Sequence, residues 1–152
     1  MVLSVSDRYS HSINELTLPG LMDEIGMVYT NETKGEASEK FRFITEIEFL
    51  KRSFRFDQVL SRWVAPLRKE SYYESIYWTK KGQLRDQITI DNVRNALREA
   101  SLWGRECYDQ LYKEVLPLVD QYLPHVQPSK NFTPHYEMAY NEALNSEYAY
   151  QW

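Results

Sequence analysis

The chain has 152 residues, of which 43% are hydrophobic and 26% charged, proportions of a folded domain and not of a disordered one. One cysteine excludes an internal disulfide framework, and no apolar run approaches the roughly 18 residues of a membrane span. The net charge of −4 excludes a uniformly basic binder, but it hides an asymmetry: residues 49–105 hold 12 Lys/Arg against 6 Asp/Glu, and the remainder holds 6 against 16.

Residues 1–6 alternate loosely and are β-branched, which predicts a short strand. Asp7 to Asn14 is polar and turns. Thr17 is placed to cap a helix with Pro19 in its first turn, apolar residues at Leu18, Leu21, Met22 and Ile25, and Gly26 as the stop. Met27–Tyr29 reads as extended, and residues 30–38 as a polar loop. Phe41 to Phe56 alternates aromatic and aliphatic residues with charged ones, which predicts a β-hairpin with its turn near Lys51–Ser53. Trp63 to Leu67 is a short extended piece ended by Pro66.

Helical patterns follow. Tyr72–Thr79 is one helix. A second runs from about Asn92 to Leu102, capped by Asp91 or Thr89 and interrupted near Gly104. A third runs from Arg105 to Leu116, with Cys107, Leu111 and Val115 on one face. Pro117 and Pro124 punctuate the rest, residues 124–135 form a loop, and Tyr136 to Trp152 is a mobile aromatic tail. His11, His125 and His135 sit in polar segments as surface residues. Cys107 lies on an apolar helix face as a buried thiol, and Trp63, Trp78 and Trp103 read as core.

No phosphate-binding Gly-rich loop and no Cys/His metal spacing is present. Two cations, Lys51 and Arg52, sit at a hairpin turn, where a rigid support can offer them to successive phosphates.

Four segments then occur in a recognisable order. Glu48-Phe49-Leu50-Lys51-Arg52-Ser53-Phe54-Arg55 resembles the primer-grip hairpin (motif E) of picornavirus-like RNA-dependent RNA polymerases of the picorna-, dicistro- and iflavirus type. Gly26-Met27-Val28-Tyr29-Thr30-Asn31-Glu32-Thr33-Lys34 resembles their motif D. Ala65-Pro66-Leu67 and Glu74-Ser75-Ile76-Tyr77-Trp78-Thr79-Lys80 resemble the first thumb elements. Asp91-Asn92-Val93-Arg94 through Tyr108 resembles the thumb helix pair. The resemblance covers roughly residues 1–115.

The resemblance implies an α+β fold. Residues 1–56 would be the C-terminal part of the palm (strand, helix, β-hairpin), and residues 57–152 a mainly helical thumb with a C-terminal tail. Residues 1–6 resemble the strand that leaves the Gly-Asp-Asp turn of motif C, so the chain is expected to be a C-terminal fragment of a polymerase replicating a positive-strand RNA genome, inactive alone.

By the same resemblance Lys34 is the catalytic lysine that protonates the leaving pyrophosphate. Such a proton donor acts on the oxyanion formed as the bond breaks, and a mobile loop with Gly35 beside it can deliver it. Lys51 and Arg52 hold the primer backbone, and Phe49 and Leu50 pack the hairpin. Arg94, Asn95 and Arg98 approach the minor groove of the product duplex, where contacts read shape rather than sequence. No metal ligand lies in this chain; Mg²⁺ is expected on parts of the enzyme it lacks. The implied partners are a template–primer duplex, nucleoside triphosphates, the missing fingers and palm, and a protein primer. The implied location is the host cytoplasm, in viral replication complexes. The competing reading is a stand-alone helical RNA-binding or protein-interaction module built on the basic centre and the aromatic tail.

Overall fold

A computed structural model describes residues 4–31, 34, 35, 37, 39–79, 82, 84–125 and 135–145. Among the described residues it contains five α-helices and two small antiparallel strand pairs, a mixed architecture compatible with the α+β class.

Up to Ile47 the described residues hold little regular structure. Residues 4–6 form no strand, and residues 1–3 of the expected strand lie outside the described residues. A 3₁₀ turn spans Asp7–Tyr9. Helix α1, Leu18–Asp23, carries Pro19 in its first turn. Its cap differs from the sequence expectation: the Thr17 side chain makes no capping bond. Buried Asn14 acts instead, its Oδ1 accepting from the backbone N–H groups of Leu16 (3.1 Å) and Thr17 (3.2 Å). Thr17 Oγ1 donates back to the Ser12 carbonyl at 2.9 Å. Gly26 ends the segment with φ +75°, a conformation in which glycine carries no Cβ penalty.

The predicted hairpin is real but shorter, and its turn lies earlier. Strands β1 (Glu48–Phe49) and β2 (Arg52–Ser53) pair with Phe49 opposite Arg52, which leaves Leu50 and Lys51 as a two-residue turn. Residues 41–47 contribute no strand; Ile44–Glu46 is a 3₁₀ turn, and Glu46 Oε2 accepts from the Phe43 N–H at 2.8 Å. A second hairpin follows that the sequence reading reduced to one extended piece: β3 (Arg55–Asp57) pairs with β4 (Arg62–Val64). The Asp57 carboxylate caps its loop by accepting from the N–H groups of Val59 and Leu60.

The core is helical. Helix α2 spans Lys69–Tyr77, α3 Arg85–Trp103, α4 Arg105–Tyr122 and α5 Tyr136–Leu144. Tyr72 of α2, Ile90, Val93, Ala96, Leu97 and Ala100 of α3, Tyr108, Leu111, Val115 and Val119 of α4, and Ala139 of α5 form one buried cluster. Helix α3 begins at Arg85, so Thr89 and Asp91 lie inside it and cap nothing: Thr89 Oγ1 donates to the Arg85 carbonyl, and Asp91 accepts from Gln87. Gly104, at φ +120°, separates α3 from α4 as the sequence suggests. Pro117 does not end α4, which continues through it to Tyr122.

The expected tail also changes. Residues 135–145 fold back as α5, with Ala139 and Tyr140 buried; residues 146–152 and 126–134 lie outside the described residues. Trp103 packs against the core, with its indole N–H donating to the Leu67 carbonyl at 2.7 Å, whereas Trp63 and Trp78 are exposed. Cys107 is half-buried, and all three histidines are exposed.

Candidate nucleic-acid interface

The β1–β2 turn is the most conspicuous local feature of the basic centre. Leu50 and Lys51 adopt φ +51° and +62°. A two-residue hairpin loop of this kind matches the right-handed strand twist but places both residues in the left-handed region. Asn-Gly is the residue pair suited to it; a residue with a Cβ gives up about 1–2 kcal/mol. The strain is retained at a tip where Leu50 is 77% exposed and Lys51 points its charge into solvent.

The hairpin is held from behind. The Ser53 N–H donates to the Pro66 carbonyl at 3.0 Å, and the Arg68 N–H to the Lys51 carbonyl at 2.8 Å. Arg68 also pairs with Glu48 across the base, at 3.5 Å. Arg52 turns inward: Nη1 donates to the Ala65 carbonyl (2.7 Å), and Nη1 and Nη2 meet the Glu99 carboxylate at 3.1 and 2.7 Å. Phe49 is partly exposed beside the turn. Adjacent cations in sequence thus face different surroundings, one solvent and the other helix α3.

On α3, Asn95 is exposed, Arg94 is half-buried, and Arg98 is engaged with its neighbours. Arg98 Nε donates to Glu142 of α5 at 2.8 Å, and Nη1 to Asn95 Oδ1 at 3.2 Å. Lys34 lies apart from this group, exposed, with φ +60°. Its turn is organised by Asn31, whose carbonyl accepts from the Lys34 N–H (3.0 Å) and whose Oδ1 accepts from the Gly35 N–H (2.8 Å). The segment that leads to Lys34 and the hairpin both line one groove of about 580 Å³, the first through Tyr29, Thr30 and Asn31 and the second through Glu48, Phe49 and Leu50. The structure therefore brings Arg52 to α3 through Glu99, and the approach to Lys34 to the hairpin through this groove.

Three acidic residues were missed in the sequence. Glu99 is the only acid between Asn92 and Gly104, which was a usable signal. Asp57 and Glu142 gave none, because their partners come from distant parts of the chain. Asp57 accepts from the Tyr140 hydroxyl at 2.6 Å and from Arg55 at 3.2 Å. That hydroxyl bond, more than any other contact, holds the Asp57 carboxyl below the usual carboxylate range, against the opposing effect of burial. Among the described residues, no three His, Cys, Asp or Glu side chains converge as a metal site.

The site is thus a strained turn with one exposed cation, braced against a helical unit, and the family follows from comparison. The chain belongs to the viral RNA-dependent RNA polymerases, whose family model matches residues 6–121. Among its relatives is the replicase polyprotein of Drosophila C virus (strain EB), 38% identical over 124 residues that cover 81% of this chain and 7% of that polyprotein. The replicase polyprotein of cricket paralysis virus is 38% identical over 109 residues, 72% of this chain and 6% of the polyprotein. That of acute bee paralysis virus is 31% identical over 116 residues, 75% and 6%. The chain thus spans about 6–7% of the length of these relatives.

Proposed function

We propose that this chain works within an RNA-directed RNA polymerase that copies a positive-strand RNA genome, supplying a proton donor, a primer grip and duplex contacts, and that it is inactive alone. The observation that carries this reading is the family match over residues 6–121, which includes Lys34, Lys51, Arg94, Asn95 and Arg98. Residues 1–56 correspond to the end of the palm and 57–152 to the thumb, with the change-over inside β3.

In this reading Lys34 gives its ammonium proton to the pyrophosphate oxygen as the bond to the α-phosphate breaks, and the α-phosphate passes to the 3′-oxygen of the nascent strand, whose hydroxyl proton is lost to water. Asn31 shapes the loop that carries it. Lys51 meets a primer phosphate from the hairpin tip, with Phe49 and Leu50 beside it. Arg94 and Asn95 face the product duplex, and Arg98 joins them by exchanging Glu142 for RNA. Divalent metal is the family's usual source of electrostatic assistance at the transferred phosphate, but the described residues do not fit such an ion. The RNA duplex, nucleoside triphosphates, the rest of the polymerase and a protein primer are the partners, within replication complexes of the host cytoplasm. No described helix is long and apolar enough to cross a membrane.

The test is Lys34→Ala in the polymerase containing this chain. Single-nucleotide addition should slow by about ten- to ten-thousandfold, the span for losing a general acid or base, while primer–template affinity stays at wild type. Lost RNA binding with unchanged chemistry would overturn the assignment.

A further inference from the structure

Lys51 of the hairpin turn and Arg52 at the start of β2 differ in what they touch, and the difference centres on Glu99. One oxygen of its carboxylate, Oε2, accepts from Arg52 Nη1 (3.1 Å) and from the backbone N–H of Leu67 (3.0 Å). The other, Oε1, accepts from Arg52 Nη2 at 2.7 Å. The Arg52 side chain is 40% exposed and that of Glu99 21%, so the pair is shielded mainly on the Glu99 side, and it is a forked, charge-assisted contact. Leu67 is bridged to Arg52 through the backbone, and its carbonyl accepts from Trp103. One carboxylate on α3 therefore gathers β2, the 65–67 segment and the helix that carries Arg94, Asn95 and Arg98.

We infer that Glu99 is a positioning residue for the primer grip: it draws Arg52 inward as a strut, fixes the β1–β2 turn to α3, and leaves Lys51 as the cation of that turn that meets RNA. This rests on the grip reading above and corrects one part of it, since Arg52 then acts through Glu99 and not on a phosphate. The physical reason is preorganisation. A turn with two left-handed residues is a poor platform unless its base is fixed, and a lysine presented from a fixed base loses less freedom on meeting a phosphate. The strut also ties the hairpin and the duplex-facing helix together, so both engage one RNA in a set register.

The experiment measures primer–template affinity against salt, and turnover at saturating RNA, in the polymerase containing this chain. Glu99→Ala and Arg52→Ala should each weaken affinity by about ten- to a hundredfold, the equivalent of a charge-assisted contact. The double variant should be no weaker than either single one, because both remove the same strut. Turnover at saturating RNA should stay within about twofold, giving a KM effect without a kcat effect. The slope of log affinity on log salt should be unchanged in these variants, whereas Lys51→Ala should lower it by about 0.9, the value of one phosphate contact. Glu99→Gln keeps an acceptor for the Leu67 N–H and loses the forked pair; it should fold and still weaken binding, so a failure of Glu99→Ala to fold does not blunt the test. Multiplying losses in the double variant, or a lowered slope in Arg52→Ala, would overturn the inference and return Arg52 to the RNA. A Lys51→Ala variant with wild-type affinity and slope would instead sink the grip reading itself, and the positioning role with it.

Discussion

Asp57 is 6% exposed, and its carboxyl is held below the usual range chiefly by the hydroxyl of Tyr140, a residue 83 positions away. Burial, with the Asp57 bond next, pushes the Tyr140 hydroxyl up to about 12. The signs follow from linkage. A depressed carboxyl contributes stability that is present above its unfolded value, near pH 3.9, and is lost as pH falls through its folded value. A raised phenol contributes stability that is present below about pH 10 and is lost as pH rises through about 12. Tyr140→Phe should therefore cost about 1.5–3 kcal/mol at neutral pH, the scale of a hydrogen bond to a charged group, and the acid limb of the stability curve should flatten, because the Asp57 carboxyl then differs less between the folded and unfolded states. Urea unfolding between pH 3 and 7 is the check; an acid limb identical to wild type would show that Asp57 is set by Arg55 and its loop amides. At the hairpin tip the expectation has the opposite sign. Lys51→Gly relieves a strained left-handed residue and should raise stability by up to about 1 kcal/mol, while weakening RNA binding. A variant both less stable and unchanged in RNA binding would mean that the turn is neither strained nor used.

At the level of elements, what the sequence revealed depends on how local the determining contacts are. Helix α4 was readable because Leu111 and Val115 repeat at helical spacing and bury the same face. The hairpin turn was displaced because Leu-Lys carries no turn signal; the left-handed pair is imposed by strand pairing and by bonds from Ser53 and Arg68 to partners fifteen or so residues apart, which no local pattern encodes. Helix α3 was started too late because Ile88, Thr89 and Ile90 are β-branched and Asp91 mimics a cap, yet burying Ile90 and Val93 in the helical core outweighs a propensity penalty of tenths of a kcal/mol per residue. Pro117 misled in the same way. It lacks the N–H that would bond the Lys113 carbonyl, but Val115 and Val119 on either side are buried and hold the helix through it. Pro117→Ala should restore that bond and raise the thermal midpoint, with a gain of about 1–3 kcal/mol. A lower midpoint would mean that a bend at Pro117 is needed for Val119 to reach the core. The site was legible to the same extent: Lys51 and the α3 arginines announce themselves by charge, whereas Glu99 acquires its meaning only when α3 is laid against the hairpin.

For the molecule as a whole, the masked charge now has a spatial form. The basic centre is neutralised in part by acids from the flanks: Glu142 and Glu137 of α5 pair with Arg98 and Arg105. Arg105 also lies over the Tyr136 ring, and Tyr136 meets Tyr108 edge-on. Helix α5 lies beyond the residues matched by the family model, yet it closes the core, with Ala139 fully buried and Tyr140 nearly so. Two separable contributions are present, apolar burial and charge pairing, and two variants divide them. Ala139→Asp puts an unpaired charge into the helical core; α5 should detach, and stability should drop by about 3–5 kcal/mol, a large part of what a domain has. Hydrogen exchange at the α3 backbone should quicken where α5 had covered it. Glu142→Gln leaves the packing in place and removes the charge partner of Arg98. Stability should then fall by at most about 1 kcal/mol, as for a partly exposed ion pair, while RNA affinity rises and its salt dependence steepens, because Arg98 no longer has to leave a carboxylate to meet a phosphate. If Glu142→Gln leaves both affinity and salt slope at wild type, Arg98 belongs to the architecture of α3 and α5, and the duplex contacts reduce to Arg94 and Asn95.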